Sequence, residues 1–120
     1  MKKYILTKIN NKNIAMSADL IQSILNEKEL TFTNIFEEKI KEVAVVRSSI
    51  IPVFNVDQYI FNEKYKRHDF YVFIKEEDRE YLIPIDQIII VKDFEEIKSN
   101  KNSYIKYNEE LYLILDLKKI

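Results

Sequence analysis

Between Ile40 and Val56 the chain reads I-K-E-V-A-V-V-R-S-S-I-I-P-V-F-N-V, a single arginine between two short runs rich in Val and Ile. Runs of this length are too short for a lone helix and fit buried strands, so the segment reads as a β-hairpin turning at Arg47-Ser48-Ser49. Pro52 has no backbone N–H to give to a ladder, which predicts that the second strand is an edge or carries a bulge. Part of the hairpin is then expected to face a partner or solvent.

That hairpin must turn without glycine, as must every other turn, because the 120 residues contain none. About 7% is usual. Twenty isoleucines against three alanines, with abundant Lys and Asn, point to a genome whose codon usage disfavours Gly and Ala. The structural consequence stands regardless of cause. Turns needing positive φ fall to Asn or Asp, or to another residue at roughly 1–2 kcal/mol. The run Asn10-Asn11-Lys12-Asn13, Asn26, Asn100, Asn102 and Asn108 are the substitutes.

The rest of the composition bounds the class. At 120 residues and 47% hydrophobic, the chain reads as one domain, large enough to bury roughly two thirds of its unfolded surface. Nineteen basic and 20 acidic residues are interspersed for a net charge of −1, so no long-range field favours nucleic acid or an acidic membrane. The absence of cysteine excludes disulfides and thiolate metal sites and fits a reducing cytoplasm. The N-terminal Met1 to Lys8 is basic, but its apolar run is too short for a signal peptide. No apolar stretch approaches the roughly 20 residues of a membrane span, so the expectation is a soluble chain unless a partner tethers it.

An internal repeat runs along the chain. Tyr4 to Ile9, an Asn turn, and Ile14 to Ile24 answer Tyr71 to Lys75, the acidic turn Glu76 to Glu80, and Tyr81 to Val91, with Asp19 on Asp86 at an offset of 86 − 19 = 67. Ile40-Lys41 and Ile51 to Val56 answer Ile105-Lys106 and Leu113 to Leu117, the first at 105 − 40 = 65. Two small barrels or sheets packed together are expected, linked by the polar stretch Asn62 to Asp69. Ser17 could cap a short helix over Ala18 to Leu25, and Asp93 to Lys98 could form one helical turn with acidic residues at its start. For the former, an Ile-rich strand fits better.

The central hairpin resembles the CheW-like domain, an adaptor family of bacterial chemotaxis, whose members carry a stretch like F-I-K-G-V-I-N-L-R-G-x-I-I-P-V-I-D-L. Here the stretch stands as Phe36, Ile40-Lys41-Glu42-Val43, Val46-Arg47-Ser48 and Ile50 to Val56, with the Arg and Pro in register. The family's Lys-Gly and Arg-Gly pairs become Lys41-Glu42 and Arg47-Ser48, so the resemblance implies negative φ at those positions or a locally different backbone. Ala18 to Ile24 is similar to the family's V-x-E-I segment, and Leu111 to Leu117 to its closing L-L-I-L-L-D-L strand. The resemblance implies a mainly β fold of two small SH3-like β-barrel halves with one or two short helical turns, the halves lying at about 1–61 and 70–120. It also implies a helical turn and then a strand in place of the Ala18 helix.

Chemistry is sparse. His68 sits in the polar run Tyr65 to Asp69 and reads as a solvated linker residue, since catalysis or metal binding needs partners that nothing nearby supplies. The acidic run Glu76 to Glu80 reads as a hairpin loop, its spacing matching no ordered calcium loop. Without glycine there is no P-loop, dinucleotide fingerprint or nucleophile elbow, so no catalytic residues, cofactor or metal ligands are assigned. Eight Tyr and seven Phe could stack bases in a single-stranded nucleic-acid-binding barrel. Their place in strand-like runs makes them core residues instead, and the missing basic excess removes the phosphate attraction.

Arg47 has two readings: an edge arginine reaching water from a packed stem, or a partner anchor whose guanidinium fork works beside an apolar edge. The resemblance favours the anchor. It implies a non-enzymatic adaptor coupling the cytoplasmic tips of chemoreceptors to the regulatory domain of the histidine kinase CheA, in the cytoplasm and held at receptor arrays. Carried over position by position, Ile21, Ser23, Ile24, Arg47 and Ile50 form the partner surface, with Pro52 shaping its edge. The family's acidic partner for the arginine is Ser23 here, so Glu27, Glu29 or a group on another protein substitutes, or the interface is altered. A diverged adaptor with other protein partners is the alternative.

Overall fold

The computed structural model describes residues 1–35 and 40–117, with Lys41 described by its backbone alone. Phe36, one of the residues that carry the resemblance, lies outside the described residues. The fold is mainly β, as expected. Twelve strands occur among the described residues: β1 (Lys2–Ile9), β2 (Lys12–Ser17), β3 (Ile21–Asn26), β4 (Thr31–Asn34), β5 (Ile40–Val46), β6 (Ser49–Phe54), β7 (Phe70–Glu76), β8 (Arg79–Ile85), β9 (Gln87–Phe94), β10 (Ile97–Ser99), β11 (Asn102–Tyr107) and β12 (Glu110–Ile114). One short helix, α1 (Val56–Tyr59), follows β6, with the Asn55 side chain accepting from the Gln58 N–H at its start.

The strands form two six-stranded sheets, ordered β10-β11-β12-β2-β1-β9 and β3-β7-β8-β6-β5-β4. Exchanging each strand for its repeat counterpart, β1 for β7 through β6 for β12, turns one order into the other. Even the sparse parallel contacts correspond, β12 with β2 and β6 with β8. The repeat is real, and its second part needs correction: the β5–β6 turn at Arg47-Ser48 matches the β11–β12 turn at Asn108-Glu109, an offset of 108 − 47 = 61 instead of 65.

The compact units are not the repeats. One comprises Met1–Asp19 with Asp86–Ile120, the other Leu20–Ile85. Each repeat gives its first hairpin to one unit and its remaining strands to the other, because β9 pairs with β1 and β3 pairs with β7. The chain therefore changes unit at Asp19–Leu20 and Ile85–Asp86, and residues 62–69, expected to link two halves, lie inside the second unit. At the second passage the Asp86 carboxylate accepts the Asn10 N–H at 2.7 Å, while the Asp86 N–H donates to the Lys8 carbonyl.

Tight turns do without glycine through Asn and at some cost. Residues 10–11, 47–48, 77–78, 100–101 and 108–109 are two-residue connections between paired strands. Both residues have positive φ at Asn10-Asn11, Arg47-Ser48 and Asn108-Glu109, the hairpin geometry that matches strand twist. Asn100 and Glu77 also have positive φ, whereas Asn26 is extended and Asn13 and Asn102 lie within strands. Arg47-Ser48 thus keeps left-handed backbone with side chains present, contrary to both expected alternatives. A 3-10 turn over Ala18–Leu20 leads into β3, so the strand reading of that segment holds. The helical turn expected over Asp93 to Lys98 is instead the end of β9 and the start of β10.

Pro52 does not mark an edge, since β6 lies between β5 and β8. Hydrogen-bonded pairs alternate from Val46↔Ser49, which makes Val43↔Pro52 a non-hydrogen-bonded pair and turns the proline nitrogen away from β5. It faces β8, with which β6 pairs only at Val53↔Leu82. The irregularity on this hairpin falls on β5, between Ile40 and Glu42.

Each unit has its own core. In the first, Tyr4, Leu6, Ala15, Ile105 and Tyr112 are buried together with Ile89, Phe94 and Tyr107 against them. In the second, Ala44, Val46, Ile51, Val53, Tyr71, Phe73 and Leu82 pack with Leu25, Leu30 and Phe32. Phe32 on edge strand β4 meets Tyr71 at 5.3 Å between ring centroids, so the second sheet curls on itself. Burying each large apolar side chain contributes about 1.5–3 kcal/mol. Tyr4, Phe54, Tyr71, Phe73, Tyr81 and Tyr112 are all buried and offer no platform for stacked bases.

The stretch before β7 is anchored to the second unit by two buried carboxylates. Glu42 on β5, 1% exposed, receives the Arg67 guanidinium at 2.7 and 3.0 Å and the Tyr65 hydroxyl. Arg67 also covers the Phe32 ring at 4.5 Å. Asp57 in α1 accepts the Lys66 N–H and lies 2.9 Å from Nε2 of His68. Both side chains of that pair are fully buried. His68 is a packed, partnered residue and not the solvated linker histidine that its polar neighbours suggested.

Candidate functional site

The β5–β6 hairpin projects the most exposed large apolar group among the described residues of the second unit. Val45 and Ile50 are cross-strand partners on the face away from the core, 45% and 71% exposed. Their pairing fixes Ile51, Val53, Ala44 and Val46 on the opposite, core face. Arg47 occupies the turn itself, is exposed, and has no ion pair among the described residues.

On the core face, beside this turn, lies a concavity of about 190 Å³ lined by Gln22, Val46, Arg47, Ser49, Ile51, Phe73, Lys75 and Glu80. Its floor is apolar, from Val46, Ile51 and Phe73, and its rim polar and charged. Gln22 reaches it because β3 is irregular there: Ile21 pairs with Ile74 and Ser23 with Phe73, leaving Gln22 as the extra residue. Lys75 and Glu80 are direct cross-strand partners of opposite charge.

The structure divides the six expected partner-surface residues. By register, Ile21, Ile24, Ile50 and Pro52 share the sheet face opposite the core that holds Ala44 and Phe73, the face on which Val72, Ile74, Tyr81 and Ile83 of the intervening strands are buried. β3 and β6 are separated by β7 and β8, three strand steps or about 14 Å. Ile24 is 36% exposed, and Pro52 is half-buried. Ser23 points to the core face, its hydroxyl buried without a hydrogen-bond partner. Arg47 stands at the groove with Gln22. Glu27 and Glu29 do not substitute for the missing acid: they occupy the turn after β3, about 15 Å along the strand from Gln22. Gln22, Lys75 and Glu80 went unread in the sequence, because a bulge and a cross-strand pairing put them beside the arginine.

The ionisable groups with altered acidity are structural: burial, then the hydrogen bond to Glu42, pushes the Tyr65 hydroxyl far up, and burial pushes Tyr71 up to about 12. Arg67 is raised by its bond to Glu42. Among the described residues no group of three or more His, Asp or Glu side chains could hold a metal ion. No helix among them is long and apolar enough to cross a membrane.

The family model described as CheW-like domain matches residues 3–120. The chain belongs to the CheW-like family. Members of that family are non-enzymatic scaffolds of chemotaxis signalling, acting through protein partners. The CheW-like chain also matches the crystal structure of the scaffolding protein TtCheW from Thermoanaerobacter tengcongensis, with a TM-score of 0.74 at 15% identity, over 97% of this chain and 89% of that one. At that identity the match speaks for the fold alone. No curated protein sequence matches this CheW-like chain.

Proposed function

We propose that this protein couples chemoreceptors to the histidine kinase CheA as an array adaptor, binding through the second unit. The observation that carries this reading is the CheW-like match across residues 3–120. The proposed partner surface comprises Arg47 with Ile50 at the hairpin tip, Ile21, Ser23 and Ile24 on β3, and Pro52 on β6. An exposed guanidinium next to an exposed apolar pair combines forked hydrogen bonding with desolvation, the composition of an interface hot spot. The working site is the cytoplasmic face of receptor arrays, reached by association.

Sedimentation of the purified protein with receptor-bearing membranes, with and without CheA, tests the proposal. Arg47→Ala is expected to weaken recruitment on the order of tenfold, or about 1.4 kcal/mol, with an unchanged circular dichroism spectrum. Recruitment indifferent to Arg47 would remove it from the surface. No recruitment from matched receptors or kinase would send the CheW-like chain to another protein partner.

A further inference from the structure

The groove beside Arg47 has a counterpart in the first unit, and the comparison shows what is unusual about it. Gln22, the extra residue on β3, corresponds to Ile89, the extra residue on β9 where the β1 register shifts, at 89 − 22 = 67. Ile89 packs against the first unit's core. At the hairpin offset of 61, Val46 and Ile51 correspond to Tyr107 and Tyr112 (107 − 46 and 112 − 51), two rings that fill the first unit where the second has smaller side chains. At the other floor position, Phe73 stands where the first unit has Leu6 (73 − 6 = 67), so the two floors are built from different side chains on one fold.

Arg47 corresponds to Asn108, with the same φ of 49° at both. Asparagine visits the left-handed region readily, whereas a long side chain there, as at Arg47, Glu77 and Glu109, is held at a cost. The rim has two cations, Arg47 and Lys75, against one carboxylate, Glu80. The rim's net charge is therefore positive, and Arg47, exposed and in no ion pair among the described residues, is the cation nearest the exposed Val45 and Ile50.

We propose that this groove receives one apolar side chain of an acidic partner peptide, whose neighbouring carboxylate pairs with Arg47 while Gln22 supplies an amide at the rim. This deepens the adaptor reading by giving the chemistry of the partner segment, and rests on it for the identity of that segment. The apolar floor takes the side chain out of water, and the guanidinium supplies a forked, charge-assisted contact.

The test is titration of the isotope-labelled full chain with the peptide acetyl-Ala-Glu-Leu-Glu-Ala-amide, followed by amide chemical shifts, against a control with both Glu replaced by Lys. The expected result is shift changes concentrated at Gln22, Ser49, Phe73 and Lys75, weakened by salt and lost with the Lys peptide. Gln22→Glu places a carboxylate in the groove in cis. It is expected to weaken the acidic peptide on the order of tenfold, and Arg47→Ala added to it to cause little further loss. Equal responses to both peptides, responses elsewhere, or no response would overturn the proposal. Because neither receptor nor CheA is present, a positive titration with failed membrane recruitment would reject the proposed partners and leave the groove chemistry standing.

Discussion

At the scale of single residues, the pair most consequential for stability is Asp57–His68. Both side chains are fully buried, and the Asp57 carboxylate also takes the Lys66 N–H at 3.1 Å. Removing the acceptor leaves a buried imidazole N–H and a backbone N–H without their partner. Asp57→Ala is expected to destabilise the fold by about 3 kcal/mol, the low end for breaking a buried pair, measured as a fall in the urea midpoint. A loss within experimental scatter would mean that water replaces the carboxylate. The pairing could not be read from the sequence, because His68 sits among Lys, Arg and Asp, and its partner is eleven residues away beyond a helix and a loop. Arg47 was legible, since one arginine between two apolar runs has few other places to be. Its groove neighbours were not: Gln22 owes its position to a bulge, and Lys75 and Glu80 to a pairing that only the fold establishes.

At the scale of elements, strands were legible and turns partly so. Apolar runs of strand length located β5, β6, β7, β8 and β12, and the Asn clusters located the turns at residues 10–11, 100–101 and 108–109. What failed were decisions that local pattern cannot settle. Pro52 sits in an interior strand because its nitrogen faces the one neighbour that scarcely pairs with it. The acidic Asp93 to Lys98 stretch is not helical because β9 is held along its length by β1. The absence of glycine makes a direct prediction at the Arg47-Ser48 turn, where Ser48 has a φ of 72°. Ser48→Gly is expected to stabilise the protein by about 1 kcal/mol, read as a higher urea midpoint, with the Arg47 side chain untouched. Asn108→Gly should give less, since Asn already tolerates that backbone. A destabilised Ser48→Gly would show that the serine makes up elsewhere for its turn.

At the scale of the whole molecule, the repeat was visible and the exchange of hairpins between repeats was not. Similarity between Tyr4–Ile24 and Tyr71–Val91 reveals equivalent strands, but pairing of β1 with β9 and of β3 with β7 is a relation between unlike segments. One consequence is that both units depend on buried tyrosines at equivalent places: Tyr4 corresponds to Tyr71 at 71 − 4 = 67, and each is fully or nearly fully buried. Burial raises the Tyr71 hydroxyl to about 12, with Glu42 adding to the rise and the His68 N–H opposing it. Burial first, and then neighbouring carboxylates, also raise Tyr4, Tyr65 and Tyr112. A phenol raised in the folded state stabilises it fully while the pH is below the unfolded value near 10. That stability is lost as the pH climbs through the folded values. The urea midpoint should therefore carry no tyrosine-linked slope below about pH 9 and fall steeply between about pH 10 and 12. Tyrosinate absorbance should appear later in the native protein than in urea. Tyr71→Phe should make the alkaline slope shallower, even though it also removes the acceptor of the His68 N–H. Tyrosines that titrate together near 10 in the native protein, with no accompanying loss of stability, would show that these rings reach water and that the two cores are looser than their packing indicates.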